Sequence, residues 1–299
     1  MKIIITGSLG NISRPLAESL VQKGHEITVI SSNPEKKKDI EDIGATAAIG
    51  SLEDVDFLIK TFTGAEAVYC MVPPNNYFDP KLNLVEYYRR LGRNYKRAVG
   101  ESGVKRVVNL STIGANLSKG NGILLGAHYV HHILNELPED VSVIHLRPTS
   151  FFYNLYGYTQ SIKTKGVIAA NYGADDMIPW VSTLDIAEAA EEEIVSSQVG
   201  RKVRYVVSEE LSGNETAAIL GAAIGKPGLK WIVTGDEEML AELKSFGMNP
   251  DIAIGLVEMY AGLHSGLLLE HYYQNRPAVT GKVKAKDFAK DFAAAYQQG

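Results

Sequence analysis

Several features that would narrow the function of this 299-residue chain are absent from its sequence. Its single cysteine, Cys70, excludes an internal disulfide, and the apolar neighbours of Cys70 indicate a buried strand residue rather than a reactive thiol. No uninterrupted apolar stretch approaches the ~20 residues that a membrane-spanning helix needs. No signal peptide is evident, because Met1 and Lys2 lead directly into a predicted strand. We therefore expect a cytoplasmic protein that does not bind membranes.

The charge of the chain also excludes a class of partner. The net charge is −5 and the isoelectric point is near 5.9, and one short basic run stands at 36–38. Because a nucleic-acid surface needs clustered positive charge, we expect no direct binding of nucleic acid. With 45% apolar and 22% charged residues, the chain has the composition of an ordinary globular protein with a sizeable core.

The most informative feature that is present is a glycine-rich turn after the apolar run Lys2–Ile5. A buried strand that breaks at Gly7 and restarts as a helix places free backbone N–H groups where a pyrophosphate can bind. The pattern is G-x-x-G-x-x-G with Gly10 in the second position and Ser13 in the third. A helix at 15–21 and a strand at 26–30 complete a βαβ unit. That context favours dinucleotide binding over a plain strand-turn-helix without a ligand.

Strands and helices alternate through the first half, which is typical of a parallel sheet covered by helices on both faces. The sequence predicts further strands at 45–49, 67–72, 106–110, 141–146 and 202–207, and helices at 53–62, 85–102, 129–137, 213–224, 236–246 and 251–274. The predicted fold is α/β, a Rossmann-type doubly wound parallel sheet with a smaller C-terminal α/β lobe. We expect residues 1–150 to form the NAD(P)-binding core and 151–299 a substrate lobe, with about 178–195 returning to pack on the core.

Four segments together resemble the NmrA-like group of atypical short-chain dehydrogenase/reductases. They are 6–13, Val107-Val108-Asn109-Leu110-Ser111, Leu146-Arg147-Pro148-Thr149 with the residues to 154, and 178–187. The segment 240–286, which ends near Val279-Thr280-Gly281, is similar to the tail of NmrA-like quinone and azo-type reductases. The resemblance spans nearly the whole chain and rests on the order and spacing of these motifs.

The resemblance implies a set of contacts along an extended cofactor. The pyrophosphate turn would comprise Gly7, Ser8, Leu9, Gly10, Asn11 and Ile12. The adenine would lie beside Gly50, Ser51 and Leu52, where Ser51 replaces the acid that the family often has. The ribose and nicotinamide would pass Val72, Pro73 and Pro74, and the nicotinamide would end against Pro148 and Thr149. The substrate pocket would include Phe151, Phe152 and Asn154.

The end of the second strand bears on the choice between NADP and NAD. An acid there would bind the ribose 2′-hydroxyl of NAD, but the chain has Ser31, Ser32 and Asn33 instead. We predict NADP(H) as the cofactor, with these three side chains as donors, Lys36 or Lys37 as counter-charge, and NAD(H) as a second choice. The alternative is that the lysine run is only a solvated helix face.

The catalytic machinery of carbonyl-reducing short-chain dehydrogenases is incomplete in this sequence. Ser111 matches the serine position and Tyr129 is the candidate tyrosine, but Ile133 stands where the family has lysine. A tyrosine without such a lysine is in general a poor proton shuttle at neutral pH, because an unperturbed phenol has a pKa near 10. His128 is a candidate donor to a substrate oxygen. His128 and His132 share a helix face, but no third ligand is evident and we expect no metal.

Two functions remain open. One is an NADPH-dependent oxidoreductase that reduces a quinone or similar flat acceptor by hydride transfer in an aromatic pocket. The alternative is a non-catalytic NAD(P)-sensing regulator that acts through a protein partner. The missing lysine favours the regulator, and the aromatic run at 151–158 favours the reductase. Aromatic and histidine residues of the predicted last helix can also line a pocket, although core packing is the more common role: Tyr260, His264, His271, Tyr272 and Tyr273. The sequence leaves the acceptor and the choice between monomer and homodimer open.

Overall fold

The order of strands in the central sheet determines where a ligand can bind. The computed structural model describes residues 1–298. The strands are β1 (Lys2–Ile5), β2 (Glu26–Ser31), β3 (Thr46–Ile49), β4 (Ala67–Cys70), β5 (Arg106–Leu110), β6 (Ser142–Pro148), β7 (Ser150–Phe151), β8 (Val167–Ala170), β9 (Met177–Val181), β10 (Arg201–Val206), β11 (Glu209–Ser212) and β12 (Lys230–Val233). The largest sheet has the order β10-β6-β5-β4-β1-β2-β3, and all its neighbouring strands are parallel. The order reverses between β1 and β4, so a crevice opens there at the carboxyl ends of the strands.

Helices cover both faces of this sheet, which confirms the predicted doubly wound fold. The helices are α1 (Ser13–Gln22), α2 (Lys36–Asp42), α3 (Val55–Phe62), α4 (Leu84–Ser102), α5 (Leu125–Asn135), α6 (Thr159–Thr164), α7 (Thr183–Val195), α8 (Gly213–Ala223), α9 (Asp236–Ser245), α10 (Pro250–His264), α11 (Glu270–Gln274) and α12 (Ala285–Gln298). α1 and α7 pack on one face, and α3, α4 and α5 pack on the other. Among residues 1–298, no helix has the length and apolar character needed to cross a bilayer.

The first strand shows why its sequence does not alternate. Ile3 and Ile5 pack in the core under α1 and α7, whereas Ile4 packs in the core under α4. All three side chains are fully buried. A central parallel strand is buried on both faces, so it is apolar at every position.

Segments after residue 150 contribute to the central sheet and its cover. β10 is the seventh strand of the sheet, and α7 buries Ile186, Ala190 and Ile194 in the core beneath it. Ser19 of α1 donates a hydrogen bond of 2.6 Å to Glu191 of α7. The remaining strands form a three-stranded sheet, β11-β9-β7, and a two-stranded sheet, β12-β8, over a separate core.

Two predicted helices differ from the structure. The helix predicted over 251–274 is two helices, α10 and α11, because the chain turns at Ser265 and continues through Gly266 at a φ of +80°. That left-handed backbone ends a helix and is strained for other residues. α5 begins at Leu125, four residues before the predicted start, because the turn Gly122–Leu124 leads into it.

Candidate functional site

The glycine turn after β1 requires glycine at its first position. Gly7 has a φ of +88°, and a Cβ there would lie 2.9 Å from both Met71 Sδ and Ser13 Oγ. Ser13 Oγ donates a hydrogen bond of 2.9 Å to the carbonyl of Thr6, which holds the start of α1 against the end of β1. The serine in the third position of the motif therefore connects the helix to the strand that precedes it.

The N-terminus of α1 is free to bind an anion. Ile12 is its N-cap and makes no side-chain capping hydrogen bond, and the first turn has no acidic residue. The first amides of a helix have no carbonyl from a preceding turn to bond, and the helix dipole makes this end positive. Gly10 and Asn11 are exposed beside it. These residues fit the pyrophosphate of a dinucleotide.

A cleft of about 260 Å³ extends from this turn over the ends of β2 and β3. Among the residues predicted to bind cofactor, it is lined by Gly7, Ser8, Ser31, Ser32, Gly50, Ser51, Leu52 and Pro73. Sequence reasoning missed four residues that complete the lining: Ile30, Glu53, Tyr87 and Leu91. Glu53 forms an ion pair of 2.9 Å with Arg90, so its negative charge is compensated. The structure thus brings predicted residues from four segments into one cleft.

The serines at the end of β2 have different environments. Ser31 is buried, and its Oγ accepts a hydrogen bond of 3.0 Å from Ser8 Oγ and one of 3.2 Å from the amide of Asn33. Ser32 is exposed in the cleft. Lys36 forms an ion pair of 2.9 Å with Asp39, and its hydrogen bond and charge lower the pKa of that carboxyl. Ser32 is therefore the accessible side chain, while Ser31 shapes the turn.

The other residues predicted along the cofactor lie at the carboxyl edge of the sheet. Val72 and Pro74 follow β4 in a loop whose start is fixed by Tyr95, because Tyr95 Oη donates a hydrogen bond of 2.6 Å to the carbonyl of Met71. Pro148 ends β6, and Thr149 Oγ1 lies 3.3 Å from the carbonyl of Val206, to which it donates. Leu9 packs partly buried against the core of the α1 face.

A second cleft of about 520 Å³ includes Thr149, and seven of its 19 lining residues are aromatic. The predicted Phe151 and Asn154 line it, together with Tyr153 and Tyr156. Tyr260, which the sequence offered as a pocket residue, also lines this cleft. Sequence reasoning missed much of the remaining lining, which includes Tyr77, Thr112, Tyr172, Trp180 and Met259. None of the described residues that line this cleft is charged. We call it the aromatic cleft.

Phe152 does not line the aromatic cleft, contrary to expectation. It is 1% exposed and stacks between Trp180, at a centroid distance of 5.9 Å, and Phe288, at 5.4 Å. Because Phe151 and Phe152 are adjacent at the end of β7, their side chains point to opposite sides. Phe152 packs in the core behind the wall that Phe151 forms.

The three candidate catalytic residues also lie outside the aromatic cleft. The Tyr129 ring lies 4.4 Å beneath the guanidinium of Arg89 on α4. His128 Nδ1 is 3.1 Å from the carbonyl of Ala115, and burial lowers the pKa of His128. Ser111 is 7% exposed, its Oγ has no partner, and its neighbour Thr112 lines the cleft. The structure does not assemble a serine–tyrosine pair at this cleft.

The histidine pair on α5 brings no further ligand with it. The rings of His128 and His132 are 4.5 Å apart, in an edge-on arrangement. Over residues 1–298, no group of three or more side chains is placed to hold a metal ion.

Comparisons with known proteins agree on the cofactor. The sequence pattern of a family described as NAD(P)H-binding matches residues 7–136. This part of the chain is an NAD(P)H-binding domain. The chain is also 28% identical, over 126 residues, to an uncharacterized protein of Schizosaccharomyces pombe. That alignment covers 42% of this chain and 41% of the relative, so the chain spans about two fifths of the relative's length.

Solved structures share the fold over nearly the whole chain. The triphenylmethane reductase of Citrobacter sp. superposes with a TM-score of 0.81 at 18% identity, over 98% of this chain and all of that one. The same reductase has been crystallised with NADP(H). An NADPH-dependent quinone oxidoreductase of Escherichia coli gives a TM-score of 0.77 at 20% identity, over 97% of this chain and 98% of that one. The family match confirms the predicted nicotinamide cofactor as NAD(P)H, and the solved structures confirm the predicted fold.

Proposed function

We propose that this protein is an NADPH-dependent oxidoreductase that reduces a quinone or a similar flat acceptor by hydride transfer. The observation that carries this proposal is the uncharged aromatic cleft of about 520 Å³, which includes Thr149, where the nicotinamide end of the cofactor is expected. The folds shared with a dye reductase and a quinone oxidoreductase support the same reaction class. Residues 151–299 act as the substrate lobe, since they supply most of the cleft wall.

When bound, the reduced nicotinamide supplies the hydride. The chain positions the acceptor, because Phe151, Tyr156 and Tyr260 offer flat aromatic faces in the cleft lining. Burial raises the pKa of Tyr260 to about 12, so its phenol stays protonated and can donate a hydrogen bond to an acceptor oxygen. A quinone accepts hydride without a strong general acid, and this fits a cleft without a lysine-activated tyrosine.

The same proposal includes a preference for NADPH over NADH. The end of β2 offers Ser32 and Asn33 as exposed polar groups and no acid. A 2′-phosphate would meet hydrogen-bond donors there, and Lys37 is exposed in the first turn of the helix that follows.

Substitutions in the aromatic cleft test the assignment of the acceptor site. Phe151→Ala and Tyr260→Phe should each raise KM for the acceptor several-fold and leave the Kd of NADPH unchanged. Phe246→Ala is the matched control, because Phe246 is 67% exposed and lies outside both clefts. Unchanged KM values in both cleft variants would show that the acceptor binds elsewhere.

The regulator remains the second candidate because of one observation. Tyr129 stacks on Arg89 outside the aromatic cleft, so the residue that most often moves a proton in this group is not at the acceptor. Tight NADPH binding without turnover of any acceptor would favour the regulator.

A further inference from the structure

A buried arginine without a carboxylate partner lies on the face of β6 that α5 covers. Arg147 is 2% exposed, its hydrogen bond to Tyr205 Oη is long at 3.4 Å, and its Nε–H has no partner. No ion pair within residues 1–298 includes it. The buried Arg106 on the neighbouring strand, in contrast, donates to the carbonyls of Glu193 and Gln198. Buried charges are normally paired, so the environment of Arg147 is unusual.

Imidazoles surround this arginine. His145 precedes it by two residues on the same face of β6, and the ring centroid of His131 is 4.0 Å from that of His145. His271 Nδ1 is 2.8 Å from Tyr205 Oη. Five of the seven histidines of the chain lie here: His128, His131, His132, His145 and His271. We call Arg147, Tyr205 and these five histidines the Arg147 cluster.

The hydrogen bonds of the cluster determine where His131 carries its proton. Asn135 Oδ1 can only accept, so His145 Nε2 donates to it across 3.1 Å. The amide nitrogen of the same Asn135 then donates to His131 Nε2, also at 3.1 Å. A neutral imidazole that accepts at Nε2 has its proton on Nδ1. His131 Nδ1 is buried and has no partner, so two buried donors, this N–H and Arg147 Nε–H, lack an acceptor.

We propose that the Arg147 cluster binds a small oxyanion, a carboxylate or inorganic phosphate. An oxyanion would accept hydrogen bonds from the two unpartnered donors, and its negative charge would be a counter-ion for Arg147. His128, His131 and His271 are only partly buried, so the cluster reaches the protein surface at these side chains. Arg147 lines neither the cofactor cleft nor the aromatic cleft, so this is a separate site.

Anion binding at this cluster should depend on pH. The Arg147 charge acts on four imidazoles: His128 and His131 from α5, His145 from β6 and His271 from α11. Tyr205 from β10 is its hydrogen-bond partner, and the charges of His132 and Arg201 act on His145. Burial, with the Arg147 charge, lowers the pKa of His131 to about 4 and also lowers the pKa values of His128, His145 and His271. These imidazoles are therefore neutral at pH 7, and a bound anion favours their protonation. Affinity should rise as pH falls, by up to about tenfold per pH unit for each proton taken up.

The test is a calorimetric titration of the full chain with acetate and with inorganic phosphate at constant ionic strength. The proteins compared are wild type, Arg147→Met and the matched buried control Arg106→Met. Phosphate can bind at the N-terminus of α1 in all three proteins, so this contribution cancels when their titrations are compared. Wild type and Arg106→Met should bind one anion, with the pH dependence given above, and Arg147→Met should lose that binding.

Two further measurements test whether Arg147→Met is folded and whether His131 has the expected tautomer. Arg147→Met should not lower the thermal midpoint in chloride buffer, because the arginine it removes has no counter-ion. In the wild-type protein, histidine ¹⁵N spectra should show the Nδ1–H tautomer of His131, and that signal should move when the anion is added. The proposal would be overturned if Arg147→Met bound as much of each anion as wild type, or if wild type bound no acetate and no phosphate beyond that at the N-terminus of α1. The proposal uses none of the residues assigned to the cofactor, so its failure would leave the reductase proposal intact.

Discussion

The preference for NADPH can be tested at a single exposed position, Ser32. Ser32→Asp places a carboxylate at the end of β2, in the cleft of about 260 Å³, where a 2′-phosphate would lie. Two like unit charges ~5 Å apart repel by ~0.8 kcal/mol in water and by ~3 kcal/mol at an effective dielectric constant of ~20. The phosphate carries a charge of about −2, the cleft is open, and salt screens the interaction. We expect a net cost of about 2 kcal/mol, which is about 30-fold weaker NADPH binding.

The assay is a titration of NADPH and NADH into wild type, Ser32→Asp and the neutral control Ser32→Asn. NADH affinity should be unchanged or higher in Ser32→Asp, because the carboxylate can accept a hydrogen bond from the 2′-hydroxyl. Asparagine has nearly the same shape without the charge, so Ser32→Asn should keep the wild-type ratio of affinities. An equal loss of NADPH affinity in both variants would refute the electrostatic reasoning, and an unchanged ratio in Ser32→Asp would place the 2′-phosphate elsewhere.

Three further predictions concern the turn after β1, the α1–α7 contact and the wall of the aromatic cleft. Gly10→Asp should abolish NADPH binding in a titration and leave the circular dichroism spectrum unchanged. The fold should tolerate the change because an added Cβ meets only the Gly7 carbonyl, at 3.2 Å. Retained binding would contradict the pyrophosphate assignment. Burial raises the pKa of Glu191, but hydrogen bonds from Lys23 and Ser19 outweigh it and lower the pKa overall. Glu191→Gln should cost about 1 kcal/mol in urea unfolding at pH 7. That difference should vanish as pH falls through the lowered folded-state pKa, and a loss independent of pH would contradict the ion pair. Phe152→Ala should lower the free energy of unfolding by about 3–5 kcal/mol and Phe151→Ala by much less, and the reverse order in denaturant unfolding would contradict the packing described.

The cofactor half was predictable because its signals are local. The apolar run of β1, the glycines beside it and the βαβ alternation each lie within a few dozen residues. α4 ends at Ser102, where the sequence predicts its end, and Gly103 follows with a left-handed backbone. The end of the second strand predicted Ser32 and the family resemblance predicted Gly50, and both line one cleft with Gly7 although they are distant from it in the sequence.

The aromatic cleft was only half predictable, because its walls come from distant segments. Tyr77 and Tyr260 meet across it, although more than a hundred residues separate them. The hydrogen bond from the Asn249 amide to the Tyr77 carbonyl, at 2.9 Å, helps to join these segments. No local sequence pattern predicts this contact. Phe151 and Phe152 are chemically alike, so only their alternation at β7 decides which one faces the cleft.

Part of the Arg147 cluster is visible in the sequence as two polar residues on one face of a buried strand. His145 and Arg147 are two residues apart in an otherwise apolar strand, so they share one face. A pattern of this kind indicates a buried polar group. It cannot show whether a carboxylate faces the arginine, because the partners come from α5, β10 and α11.

The central claim is that hydride passes from NADPH to a flat acceptor in the aromatic cleft. The most direct test is steady-state oxidation of NADPH and of NADH by the purified protein with a small panel of quinones, followed as loss of nicotinamide absorbance. We expect turnover that saturates in both substrates and is faster with NADPH than with NADH. Phe151→Ala should have a lower affinity for the acceptor. NADPH binding in a parallel titration, without turnover of any quinone, would contradict it.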